Sequence, residues 1–439
     1  MDHVSVTSIN VVPAMNRLRD LEAILAITRE MAAEPDLSRL LVMLAAACSK
    51  VLKVERTSIW VVDRKTGELF TRVAEGMAAI RVPKGKGIVG AVAESGERVL
   101  IPDAYADPRF NPEVDRKSGF HTREILCLPL KDVEGQRVVG VLQALNKKNG
   151  VLDTYDIELA FLISAQAGVM LEQAALREEA LERKRLQAEL DLAHSIQQRL
   201  LPRQSPQVKG LDVAGANIPA TETSGDYFDY IPLPGGRLAV AIADVTGHGL
   251  GAALVMTAAR AYIRALCETD TEPAKLVSHA NDLVEKDLEG GNFLSLCVAV
   301  FDPGAGALTY ASAGHDPPLI YRPGENVFAE LDSTGPLLGI LPGMQFEARG
   351  PLPLQSGDVL VFMTDGLFEC MNAYEETFGK ERLKEVIRAR AQDSAAAILA
   401  ALLQATADWT AGRPQRDDIT VVVARVGDEF GAKEQLPQN

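Results

Sequence analysis

Cysteine is scarce in this sequence and never paired. Cys48, Cys127, Cys267, Cys297 and Cys370 are scattered singly, which excludes a disulfide framework and a thiolate zinc site and fits a reducing compartment. Basic charge is also short: 45 Lys and Arg against 60 Asp and Glu leave a net charge of −15, which argues against a nucleic-acid or anionic-membrane surface. No apolar run approaches the roughly 18 residues of a membrane span. The first residues do not read as a basic segment followed by an apolar leader. A cytoplasmic protein with no nucleic-acid or membrane partner is the expectation. What remains is ordinary globular composition, 47% hydrophobic and 24% charged, over a length that suits two or three domains.

Periodicity divides the chain. After an irregular N-terminus (1–15), helical spacing covers Asn16 to Met31 and Leu37 to Leu52. Alternating runs follow at Thr57–Val62, Leu69–Val73, Arg98–Ile101, Ile125–Leu130 and Val138–Leu145, which predict an α+β domain around an antiparallel sheet over 16–172. Asp156 to Glu179 reads as helical, and the helix continues from there without Gly or Pro to Leu201. Within the linker 173–202, Leu186, Leu190, Ala193, Gln197 and Leu200 follow coiled-coil spacing, with Gln197 the polar exception in the seam. From there to 427 the pattern is strand-rich. It carries hairpin signals at Pro234–Gly236 and Asp302–Gly306 and helices at Gly249–Cys267, Glu272–Leu288, Phe378–Arg390 and Ser394–Trp409. Residues 428–439 form a polar tail.

Four acidic motifs carry the chemistry: S-G-D-Y-F-D (Ser224–Asp229), A-D-V-T-G-H-G (Ala243–Gly249), M-T-D-G (Met363–Gly366) and R-D-D-I-T (Arg416–Thr420). Three of them abut apolar strands, where carboxylates are costly unless paired or metal-bound. Acids converging from distant segments suit a hard divalent cation, and two such ions can hold a bridging hydroxide for in-line attack on phosphate. Gly247, Gly249 and Gly366 would let backbone approach ions or phosphate. Any one of these motifs alone would read as a turn.

Together with A-H-S-I-Q-Q-R-L-L-P (Ala193–Pro202) and A-G-H-D-P-P (Ala313–Pro318), these motifs resemble the SpoIIE-type branch of the PPM metal-dependent Ser/Thr protein phosphatases. The resemblance covers about 190–427. It implies an αββα sandwich of two antiparallel sheets over 203–427 and a site for two Mn²⁺ or Mg²⁺ ions. It places metal ligands at Asp226, Asp244 (bridging), the Val245 carbonyl, Asp365 and Asp417, with Asp229 an outer partner and Asp418 bonding locally. His248 is a candidate general acid, and His315 reads as a turn residue. Ser224, Asp316 and Met363 depart from the usual pattern without removing an acid.

Residues 16–172 resemble a GAF domain through G-K-G-I-V-G-A-V-A-E-S-G (Gly85–Gly96), I-P-D-A-Y-A-D-P-R-F (Ile101–Phe110) and the strand ending at Asn146-Lys147. Asn146, Lys147, Asp156 and Glu158 partly echo a motif of cyclic-nucleotide-binding GAF domains. The favoured reading is that they lock the last strand to the following helix, and the ligand stays open. The two resemblances imply a sensor-regulated protein phosphatase acting on a STAS-type anti-sigma-factor antagonist, dimeric through Phe161–Leu201. A partner-docking pseudophosphatase and a two-metal hydrolase of small phosphates are the alternatives.

Overall fold

The computed structural model describes residues 11–34, 36–71, 80–247, 249–288 and 293–432, and the chain divides into two compact units, 1–185 and 186–439. In the first unit, α1 (Val11–Ala32) and α2 (Leu37–Leu52) precede β1 (Val54–Val62), β2 (Leu69–Thr71), β3 (Ile80–Val82), α3 (Gly87–Ser95), β4 (Val99–Ile101) and α4 (Pro112–Ser118). Then come β5 (Ile125–Lys131), β6 (Val138–Lys147) and α5 (Thr154–Leu200), whose last residues belong to the second unit.

The six strands form one antiparallel sheet in the order β3-β2-β1-β6-β5-β4. Alternation along β6 sends Leu142 and Ala144 into a core with α1, α2 and α5, and Val141 into a second core with α3, Trp60 and Cys127. Asp36 caps α2 by accepting from the Arg39 amide.

At the end of β6, Asn146 sits in the left-handed region at φ 56° and is fully buried. Its Oδ1 accepts from the Arg123 and Glu124 amides at 2.7 and 3.3 Å, and its Nδ2 donates to Glu55 and to the His121 carbonyl at 2.9 and 2.8 Å. Lys147 Nζ donates to the Leu52 carbonyl at 2.9 Å and pairs with the buried Asp156. These residues lock strand to helix, while Glu158 is exposed.

Some expectations shift. The first helix starts at Val11, so residues 11–15 are helical where the sequence suggested an irregular segment, and residues 1–10 lie outside the described part. Of the run Leu69–Val73, residues 72 and 73 lie outside it as well. The short helix α3 escapes periodicity because glycine interrupts it. Gly90 is needed there, since a Cβ would stand 2.7 Å from the Pro83 carbonyl oxygen.

In the second unit the elements are β7 (Leu211–Ile218), β8 (Tyr227–Leu233), β9 (Arg237–Val245), α6 (Leu250–Thr269), α7 (Pro273–Asp287), β10 (Leu294–Asp302), β11 (Ala307–Ala313), β12 (Leu319–Arg322) and β13 (Val327–Glu330). The unit continues with β14 (Arg349–Pro353), β15 (Val359–Met363), α8 (Gly366–Glu369), α9 (Gly379–Arg390), α10 (Ala395–Thr410) and β16 (Ile419–Val426). Two five-stranded antiparallel sheets result, β14-β11-β10-β9-β8 and β13-β12-β15-β16-β7. They face each other across a core in which Phe301 and Phe362 meet edge to face at 6.3 Å. Helices α6 and α7 cover the first sheet, and α9 and α10 pack on the second.

Two helices, α5 and α6, prove long and apolar enough to cross a membrane by length and composition, against the expectation from the sequence. Both bury one face in a folded core: Leu159, Ala160 and Ile163 of α5, and Met256, Ala259 and Ile263 of α6.

Replacing Asn146 removes four hydrogen bonds at a position that favours Asn. Asn146→Ala is expected to destabilise the first unit by about 2–4 kcal/mol. Urea unfolding followed through Trp60 fluorescence, in a chain carrying Trp409→Phe, measures it.

Candidate active site

Each sheet delivers two acidic motifs to one edge of the sandwich. Asp226 precedes β8 and Asp244 is the penultimate residue of β9, strands held in register by Tyr227 opposite Ala243. Asp365 follows β15 and Asp417 and Asp418 precede β16, with Met363 opposite Val421. Asp226 is buried, Asp244 and Asp365 half-buried and Asp417 exposed, so the cluster opens from the core outward.

The carboxylates act on one another. Burial and then the Asp244 charge raise Asp226 well above the usual carboxylate range. Burial, followed by the charges of Asp365 and Asp417, pushes Asp244 up to about 7 even though it shares a hydrogen bond with Asp226. Asp365 rises to about 6 through burial, Asp417 and Glu369, with Asp316 adding to it. The charges acting most strongly on these three acids are other acids. Like charges held together in partial burial are unfavourable without a cation. Among the described residues no three His, Cys, Asp or Glu side chains are gathered closely enough to hold a metal ion as they stand. The mutual repulsion is nevertheless the stronger indication. An all-oxygen donor set open on one side is what a hard divalent ion that keeps several waters requires.

A second layer holds these acids in place. Asp418 accepts from Ser224 Oγ (2.8 Å) and the Gly225 amide (2.7 Å) through one oxygen and from the Ala220 amide (2.7 Å) through the other. Its bonds are therefore long-range, where the sequence suggested local ones. Thr364 Oγ1 donates to Asp226 Oδ2 at 2.7 Å and accepts from the Thr420 amide at 3.0 Å. Gly366 is pressed against the fourth motif: a Cβ there would stand 2.0 Å from the Asp418 carbonyl oxygen. That close approach is to the chain itself, where the sequence suggested ions or phosphate. The Val245 carbonyl oxygen lies 3.1 Å from where a Cβ on Gly225, the residue before Asp226, would stand.

Gln197 of α5 is buried, and both ends of its carboxamide bond the backbone of Ser224: Nε2 to the carbonyl at 2.6 Å, Oε1 from the amide at 2.9 Å. His194 Nδ1 lies 2.6 Å from the Glu222 carbonyl oxygen. The seam read from the sequence thus turns inward at its C-terminal end. The exposed large apolar residues of α5 are Phe161, Leu162, Leu176, Leu181, Leu186, Leu192 and Ile196, of which only Leu186 belongs to that seam.

Asp229 does not join the cluster. It lies three residues after Asp226 and so on the opposite face of β8, where it takes a bidentate pair from Arg264 of α6 (2.6 and 2.7 Å) and a hydrogen bond from Tyr227. His315 is buried, with Nδ1 2.7 Å from Ser295 Oγ and its pKa lowered to about 4 by burial. Ser295 stands opposite Asp244 in the β9–β10 register, so His315 supports the site from beneath. His248 lies outside the described residues. Sequence reading missed Gln197, Thr364 and Arg264 as supporting residues. Only Gln197 left a signal, as a polar residue in an apolar seam.

The family model of stage II sporulation protein E (SpoIIE) matches residues 234–427, and that of the GAF domain matches 36–171. The chain is 31% identical over 243 residues to phosphoserine phosphatase RsbU of Bacillus subtilis, covering 55% of this chain and 70% of that protein. It is 49% identical over 119 residues to the dual 3',5'-cyclic-AMP and -GMP phosphodiesterase 11 of Drosophila melanogaster, covering 27% of this chain and 8% of that protein. Among solved structures, the SiaA-PP2C domain of Pseudomonas aeruginosa shares the fold of the second unit, with a TM-score of 0.51 at 23% identity over 56% of this chain and 99% of that one.

The raised acids set a pH dependence. Asp244 and Asp365 hold protons in the folded chain up to about pH 7 and 6, whereas unfolded aspartate releases them near about 3.9. The fold binds more protons across that window, so metal-free stability falls as pH rises through it. Chelator-treated protein is expected to melt higher at about pH 5.5 than at about pH 8, and magnesium is expected to raise the melting temperature more at the higher pH.

Proposed function

The chain belongs to the SpoIIE-type branch of the PPM metal-dependent Ser/Thr protein phosphatases, and we propose that its Asp226–Asp244–Asp365–Asp417 cluster removes phosphate from serine or threonine of a partner protein. The observation that carries this reading is the set of acids raised chiefly by burial and by one another. In it, Asp226, Asp244, Asp365, Asp417 and the Val245 carbonyl would hold two Mn²⁺ or Mg²⁺ ions. Such ions supply an activated water and neutralise charge on the transferring phosphoryl group.

The protein's own part is geometry. Thr364 fixes the orientation of Asp226 with its hydroxyl, Asp418 fixes the loop before it, and His315 stays neutral at working pH and so adds no charge to the site. With the acids already placed, little reorganisation is left for the moment of reaction.

The substrate we infer from the family resemblance is a STAS-type anti-sigma-factor antagonist; similarity to a phosphoserine phosphatase supports a phosphoprotein. The GAF unit is read as the sensor, its ligand open, and α5 as the element that carries its state to the site, because Gln197 grips the first acidic motif. The exposed apolar residues of α5, Leu181, Leu192 and Ile196 among them, suit pairing with the same helix of a second copy. Five free cysteines fit a cytoplasmic setting.

Asp244→Asn and Asp365→Asn are each expected to lower manganese-dependent phosphate release from a phosphoserine peptide by about a hundredfold or more. Undiminished turnover in either would remove the metal-site assignment. Gln197→Ala is expected to lower turnover at saturating metal while leaving the fold intact by circular dichroism. Light scattering should report a dimer for the full chain and a monomer for Leu181→Lys/Leu192→Lys; a dimer in both would discard α5 as the interface.

A further inference from the structure

The carboxylate cluster is too negative for its substrate, and one lysine is placed to correct this. At this edge of the sandwich Asp244 and Asp418 act on Asp226, Asp365, Asp417 and Asp418 act on Asp244, and Asp417, Glu369 and Asp316 act on Asp365. Seven carboxylates outweigh the four positive charges of a pair of divalent ions, yet a phosphate monoester brings nearly two more negative charges. Lys380, near the start of α9, is a cation held near this edge through Asp316. Its Nζ lies 3.5 Å from Asp316 Oδ1 and 4.8 Å from the centre of the Phe368 ring.

Both contacts place Lys380 next to elements that adjoin the site. Phe368 belongs to α8, the turn that opens directly after Asp365, and the Asp316 charge acts on Asp365 itself. A separation of 3.5 Å is long for a charge-assisted hydrogen bond, so Asp316 holds the ammonium loosely. The side chain is 26% exposed, open to an incoming ligand but steadied along its stem. An ammonium carries three donors, and a dianionic phosphate is a stronger acceptor than one half-exposed carboxylate.

We propose that Lys380 binds the phosphoryl oxygens of the phosphoserine or phosphothreonine substrate, with Asp316 holding its ammonium beside Asp365 until substrate arrives. The proposal rests on the metal-dependent phosphatase reading of the same site. It gives this chain a phosphate-binding cation on an element other than the four acidic motifs. It also accounts for Asp316, whose carboxylate keeps the long lysine side chain from swinging into solvent.

The test uses the full magnesium-loaded chain. Calorimetry follows binding of inorganic phosphate, and KM and kcat are taken on a phosphoserine peptide. Lys380→Gln is expected to weaken phosphate binding and raise KM about tenfold, leaving the magnesium midpoint unmoved. Lys380→Arg should stay within about threefold. Asp316→Asn should preserve the loss caused by Lys380→Gln when the two are combined. Unchanged phosphate affinity in Lys380→Gln would overturn the proposal. So would a loss that vanishes in the Asp316→Asn background, which would make Lys380 a mere counter-charge for Asp316. A failed metal-site reading would show separately, as a magnesium midpoint that Asp244→Asn does not shift.

Discussion

One carboxylate that holds no place in the open cluster organises the site. Asp418 takes the hydroxyl of Ser224 and the amides of Gly225 and Ala220, groups about two hundred residues away in the chain. Its own carbonyl oxygen is where the Gly366 backbone closes in. Three of the four acidic motifs therefore meet at one residue. Buried and fully engaged, Asp418 gains the strength of charge-assisted bonds to backbone amides, which a neutral side chain there would lack. The exposed Asp417 can then face outward because its neighbour fastens the strand. Without that fastening, the repulsion among the clustered acids would push the two sheets' edges apart.

Much of this was legible from residues alone. The acids announced themselves because a carboxylate at the end of an apolar strand demands a reason, and four in order left few reasons. The first unit's antiparallel sheet followed from alternation and turn residues, whereas the two sheets of the second came from the family resemblance. What could not be read is informative about why. Asp229 looked like an outer partner of the site because proximity in sequence hides strand parity; only the register of β8 shows it facing Arg264. Asp418 looked local because hydrogen-bond partners far away in sequence leave no pattern. Gln197 was visible as an oddity, but its partner is a backbone, and backbones have no sequence identity. Helix α3 was hidden by glycines that serve close packing.

The two units solve polar burial in different ways. In the GAF unit, Asn146 and Lys147 satisfy every demand at the end of β6 within a closed set of partners, including Glu55, Asp156 and the Leu52 carbonyl. The result is a rigid seam between strand and helix. Among the described residues of the phosphatase unit the acids that matter act mainly on one another, while Asp418, Thr364 and Gln197 around them are engaged in hydrogen bonds. Satisfied polar groups give stability, and unsatisfied ones give affinity for something else.

Strand β16 has a consequence for synthesis. It lies in the interior of its sheet, between β15 and β7, and it brings Asp418 and Thr420 to the site. Yet it is translated after every other strand of that sheet. Until it emerges from the ribosome, β7 and β15 have no neighbour between them, and the loop carrying Asp226 has no clasp. A nascent chain can fold its GAF unit first, as domains generally do in order of synthesis, but cannot assemble the acid cluster early. The chain is thus silent while it is being made, and the competence of the site reports that the whole catalytic unit has been translated.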